Sequence, residues 1–75
     1  MIKSVVEKDT KTIWTLEEKL SGKYSHLYVS SIKECWDDSG AEVSVYVSTE
    51  PDATSSLFVR IPMTSVQRII YEVGE

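Results

Sequence analysis

The chain has 75 residues, 12 of them acidic and 8 basic, for a formal charge of −4; that is too short for two domains of the usual ~100–150 residues. Hydrophobic residues make up 41%, with only three glycines and two prolines, which excludes a disordered, collagen-like or low-complexity chain. A lone cysteine excludes an intramolecular disulfide framework, and the acidic balance disfavours binding to nucleic acid or lipid headgroups by bulk attraction.

Taken in chain order, Val, Ile, Thr and Tyr recur with period two between clusters of turn residues, which predicts strands over 2–8, 12–20, 24–36, 41–49 and 55–61. The connections are Asp9-Thr10-Lys11, Ser21-Gly22, Asp37-Asp38-Ser39-Gly40 and Glu50-Pro51-Asp52-Ala53-Thr54, all of hairpin length. A three-residue first loop pairs Val6 with Trp14 and Ser4 with Leu16. A two-residue Ser21-Gly22 turn pairs Trp14 with Val29, Leu16 with Leu27 and His26 with Glu17. A five-residue fourth loop pairs Val43 with Ile61, Val45 with Val59 and Val47 with Leu57. The third strand changes parity, because Leu27 and Val29 are odd while Ile32 and Trp36 are even. A β-bulge at Ser30-Ser31 restores one inner face and bends the sheet; alternatively the loop after Trp36 has another length and Trp36 lies outside.

After Pro62 the period changes. Val66, Ile69, Ile70 and Val73 stand at i, i+3, i+4 and i+7, Thr64 and Gln67 fit a capping box, and Gly74 is placed to end a helix over 65–73. The expected fold is therefore a mainly β single domain: a five-stranded curved antiparallel meander with a short C-terminal α-helix packed on one face.

The same registers put Val5, Ile13, Tyr24, His26, Tyr28, Tyr46, Phe58 and Arg60 on the outer face, with Tyr46 opposite Phe58. One short helix cannot cover two faces, so Tyr24, Tyr28, Tyr46 and Phe58 are expected at a homodimer contact, or else as rim residues of a small closed barrel.

Catalytic chemistry finds little support. His26 and Cys35 are the side chains suited to a nucleophile–base pair, yet on a straight strand they stand roughly 30 Å apart with no third group evident. The loop Asp37-Asp38-Ser39-Gly40-Ala41-Glu42 lacks the alternating ligands of a calcium loop, and one Cys with one His cannot close a zinc site. No catalytic residue, metal or cofactor is assigned, and the chain reads as a non-enzyme. Nothing approaches the roughly 18–20 apolar residues of a membrane span, and no signal peptide is visible, so a cytoplasmic setting is expected.

A protein-binding module remains. Glu34, Asp37, Asp38 and Glu42 gather around one hairpin, with Glu50 and Asp52 in the next loop and Glu72 and Glu75 near the end. Such an acidic edge suits the basic groove of a DNA-binding protein, where it would exclude DNA by mimicry. In length and composition the chain resembles small phage-encoded proteins that bind and redirect one host protein; that resemblance, carried by no motif, implies an inhibitor. The alternatives are single-stranded nucleic-acid binding through the aromatic face and a structural role in a larger complex.

Overall fold

A computed structural model describes residues 1–38, 40–50 and 54–73. Among them are six strands: β1 (Ile2–Glu7), β2 (Ile13–Thr15), β3 (Tyr28–Asp37), β4 (Gly40–Ser48), β5 (Ser56–Pro62) and β6 (Val66–Tyr71). They form two three-stranded antiparallel sheets, β2-β1-β6 and β3-β4-β5, and 3-10 turns occupy Gly22–Tyr24 and Met63–Ser65. The sheets face each other across a core of Ile2 and Val5 from one and Val29, Ile32, Val43, Val45 and Ile61 from the other. A single meander roofed by a helix is thus replaced by two sheets roofing one another.

The C-terminal helix is the largest correction. Residues Val66–Tyr71 form a strand along β1, with Ile69 opposite Val5 and Val66 opposite Glu7. The helix-like spacing has a strand explanation. The ladder slips between Val6↔Arg68 and Glu7↔Val66, leaving Gln67 as the extra residue of a bulge. A bulge adds one residue to the period of two, so Val66 and Ile69, three apart, both reach the core. Val66, Ile69, Ile70 and Val73 are also all β-branched, which favours the extended chain. The proposed stop at Gly74 lies outside the described residues.

The first hairpin differs from expectation by one residue. Ser4 pairs with Thr15, Val5 with Trp14 and Val6 with Ile13. The Glu7 amide donates to the Thr12 carbonyl at 2.8 Å, which leaves a four-residue loop, and Lys11 turns it with φ 60°. A one-residue slip exchanges faces. Val5, expected outside, is 0% exposed, while Val6 is half-buried.

The segment expected as one strand over 12–20 is broken at a corner. The Leu16 amide donates to Lys3 in the first sheet, whereas the next amide, of Glu17, donates to Val29 in the second, both at 2.8 Å. Glu17 makes the corner at φ 71°, a left-handed conformation that costs a side-chain-bearing residue roughly 1–2 kcal/mol. Lys19 then bridges Tyr28. The expected Trp14–Val29, Leu16–Leu27 and Glu17–His26 pairings are therefore absent, and His26 is exposed in the loop.

The second sheet follows the sequence reading closely. β3 shifts register between Val29 and Ser31, so Ser30 is bulged as expected, and Ile32 faces Val45. Val43↔Ile61 and Val45↔Val59 also hold. Beyond them the ladder slips, pairing Tyr46 with Leu57 and Val47 with Ser56. Phe58 is the extra residue there, so neither Tyr46–Phe58 nor Val47–Leu57 is formed.

The register of β1 yields a direct check. Val5→Ala is expected to cost about 2 kcal/mol, and Val6→Ala less than about 1 kcal/mol, because only the first empties a sealed site. Urea-unfolding midpoints of the two variants measure the difference, and the expected order reverses if Val6 is the core residue.

Candidate functional site

The β3–β4 hairpin carries the densest acidic segment, and its geometry follows from strand alternation. Ile32, Glu34 and Trp36 share the face that looks toward the first sheet, since their partners Val45, Val43 and Ala41 lie in unbroken register. The opposing sheet runs out before the hairpin ends. At the end of β6 the Tyr71 hydroxyl donates to Glu34 Oε1 at 2.8 Å. Trp36, one pleat further on, is 74% exposed. The bulge is present and Trp36 has inner-face parity, yet nothing buries it.

Glu34 shares the face of Trp36, Asp37 alternates to the opposite face and Asp38 follows in the turn; all three are exposed. Asp37 pairs with Gly40, whose φ of 128° suits glycine at this end of the hairpin. The hydrogen bond to Glu34 raises the Tyr71 hydroxyl above its usual titration range, with smaller contributions from burial and from the charge of Glu34. Glu42 points to the other face of the sheet, where Arg60 Nε lies 3.6 Å from its carboxylate. Glu50 lies beyond the far end of β4, roughly 25–30 Å along the strand from the hairpin, and its carbonyl accepts a hydrogen bond from the Ser48 hydroxyl. Asp52 lies outside the described residues. Of the acidic set, Glu34, Asp37, Asp38 and Glu42 all belong to one hairpin but divide between its faces, Glu34 on that of Trp36 and Asp37 with Glu42 on the other, while Glu50 is held apart.

The aromatic set divides too. Tyr24 and Phe58 meet edge to face, with ring centres 5.2 Å apart, and Phe58 meets Trp14 in the same manner at 5.7 Å. These rings, with Ile13, Leu20 and Lys19, line an open pocket of about 380 Å³. The Trp14 indole N–H donates to Glu7 Oε2 at 2.8 Å, which fixes the ring. Lys23 Nζ sits 5.3 Å from the centre of the Tyr24 ring. Tyr28 lines a neighbouring open pocket with Glu17, Lys19, Thr49 and Glu50. Tyr46 is elsewhere, half-buried on the outer face with the Lys33 ammonium 5.5 Å from its ring centre.

Parity shared with Ile32 argues for a buried Trp36, and the alternative of an outer Trp36 rests on another loop length, whereas in the structure it is exposed with inner-face parity. The signal that could have found it is its place two residues from the turn, where a strand outruns the sheet that covers it. Cys35 is half-buried with its Sγ 3.5 Å from the Ser44 hydroxyl, distant in sequence and fold from the exposed His26. Among the described residues no group of three or more His, Cys, Asp or Glu could hold a metal ion. No helix among them is long and apolar enough to cross a membrane.

The Tyr71–Glu34 contact has a titration consequence. Folding holds the phenol in its neutral form, so the contact's contribution to stability is complete below the unfolded-state pKa of about 10 and lost as pH rises through the higher folded value. Ultraviolet titration should show one tyrosine ionising later than an ordinary phenol. Glu34→Ala should return it to the ordinary range, and an unchanged curve would exclude the contact.

Compared with known protein families, curated proteins and solved structures, the chain matches none of them.

Proposed function

We propose that the chain is a non-catalytic binding module that captures a basic, nucleic-acid-binding protein through the end of its β3–β4 hairpin. The observation that carries this reading is Trp36, three-quarters exposed near the end of the β3–β4 hairpin, with Glu34 on its own face and Asp37 and Asp38 next to it in the chain. Folding gains little from an indole left in water, whereas tryptophan is among the residues most enriched at the energetic centres of interfaces. Its neighbouring carboxylates would steer a cationic groove toward it and raise the association rate. A partner that uses the groove for DNA would then be blocked, which is the inhibitor form of the proposal.

The alternative, single-stranded nucleic-acid binding on an aromatic sheet face, has weaker support. Stacking needs ring faces laid out along one track. Here Tyr46 lies beneath Lys33, while Phe58 is held edge-on between Trp14 and Tyr24.

Capture of partners on the immobilised chain, read by mass spectrometry, tests the reading. Trp36→Ala and Asp37→Lys/Asp38→Lys should each reduce recovery of the bound protein by about 10-fold or more. Excess duplex DNA should release it, as should raising salt from about 0.05 M to about 0.5 M. Recovery indifferent to both variants and to DNA would contradict the proposal.

A further inference from the structure

The protein carries two surface features of opposite kind at opposite ends of the second sheet. At one end the Trp36 indole is exposed, with Glu34 on its own face and Asp38 in the turn that follows. At the other, Trp14, Tyr24 and Phe58 line a pocket of about 380 Å³. That pocket is near the small end of the roughly 300–1,000 Å³ typical of ligand sites, which suits a single large side chain. Its charged lining residue is Lys19, and Lys23 stands beside it on the Tyr24 ring. The pocket is therefore lined by aromatic and aliphatic side chains together with Thr12 and Ser21, and within a chain of net charge −4 it carries two ammonium groups, while the nearby Glu7 carboxylate is engaged by the Trp14 indole.

We infer that this pocket receives Trp36 of a second copy of the chain, with Lys19 and Lys23 facing the carboxylates that accompany it, Glu34 on its own face and Asp38 in the turn. Shape and charge both select the hairpin: it offers an aromatic anchor flanked by carboxylates, which is the complement of an aromatic pocket flanked by ammonium groups. The donor must be another molecule. Trp36 is opposite Ala41 on β4 and the Phe58 bulge is opposite Val45–Tyr46, so the two sites are separated by four or five residues of rigid strand, roughly 13–17 Å. A Trp side chain cannot fold back over that distance.

The pocket is preorganised for the purpose. The Trp14–Glu7 hydrogen bond and the two edge-to-face contacts of Phe58 hold its walls before anything enters, which lowers the ordering cost of binding. The contact joins two different surfaces, so it builds either a reciprocal dimer, each hairpin in the other's pocket, or a head-to-tail chain. In both, the hairpin proposed above to capture a basic partner is covered, and partner binding competes with self-association.

Two surface variants and their mixture supply the test, in a solution holding only this protein, so its failure leaves the partner proposal standing. Sedimentation from about 10 µM to about 1 mM should show concentration-dependent association of the natural sequence. Trp36→Ala, which keeps the pocket, and Lys19→Glu/Lys23→Glu, which keeps the hairpin, should each weaken it by about 10-fold or more. Mixed in equal amounts, the two variants should recover a complex that neither forms alone at the same concentration. Circular dichroism confirms that each is folded, and Lys23→Glu alone serves if the double change unfolds the chain. A natural sequence that stays monomeric throughout overturns the inference, as do variants that associate undiminished or a mixture that stays monomeric. Binding of oligothymidylate to a monomer, lost in the lysine variant, overturns it in favour of nucleic acid.

Discussion

The structure turns on the position of β1. Its Val5 is sealed in the core, and its backbone can be satisfied only by a neighbour on each edge. β2 supplies one edge through a short hairpin, but only three residues of it stay in that sheet before the chain turns at Glu17. The other edge needs a strand, and the tail provides it. A helix laid across the sheet would bury apolar surface equally well while leaving β1 with a row of unpaired amides and carbonyls. Hydrogen-bond satisfaction thus decides between two conformations that the hydrophobic pattern alone permits.

From that pairing the rest follows. With β6 on β1, the first sheet becomes a lid for the second, and the length of the lid determines what remains uncovered. β6 ends at Tyr71, whose hydroxyl reaches Glu34 and no further. The hairpin beyond is left with Trp36 in water and carboxylates on both of its faces. At the other end, the Phe58 bulge swings its ring away from Tyr46 and into the space between Trp14 and Tyr24, which creates the aromatic pocket. Both surfaces proposed for binding are consequences of where paired strands stop or slip.

Those slips also explain what could be read from the sequence. The Ser30 bulge was legible because a parity change within one long strand has few other remedies, and Val43–Ile61 and Val45–Val59 were legible because alternating valines admit one register. The reading failed where an irregularity imitates another signal. The Gln67 bulge gives Val66 and Ile69 the spacing of a helix. The four-residue loop ending in Lys11 differs by one from the three-residue loop assumed, and that one residue moved Val5 from the outer face to the core. The corner at Glu17 requires a left-handed backbone at a residue that gives no compositional sign of it. For the site, the grouping of Glu34, Asp37 and Asp38 was visible as local sequence. The division of these carboxylates between two faces, with Asp37 and Glu42 on the one opposite Glu34, the distance of Glu50, and the exposure of Trp36 depend on strand faces and on the extent of the opposing sheet.

Nuclear Overhauser contacts of the tail test the account most directly, because every surface described depends on β6 lying beside β1. Cross-strand contacts should link Ile69 with Val5 and Arg68 with Val6, with strong sequential Hα–amide contacts from Val66 to Tyr71. Sequential amide–amide contacts over the same residues, with none to β1, would mean a helix on the sheet and would contradict both the two-sheet core and the exposed hairpin.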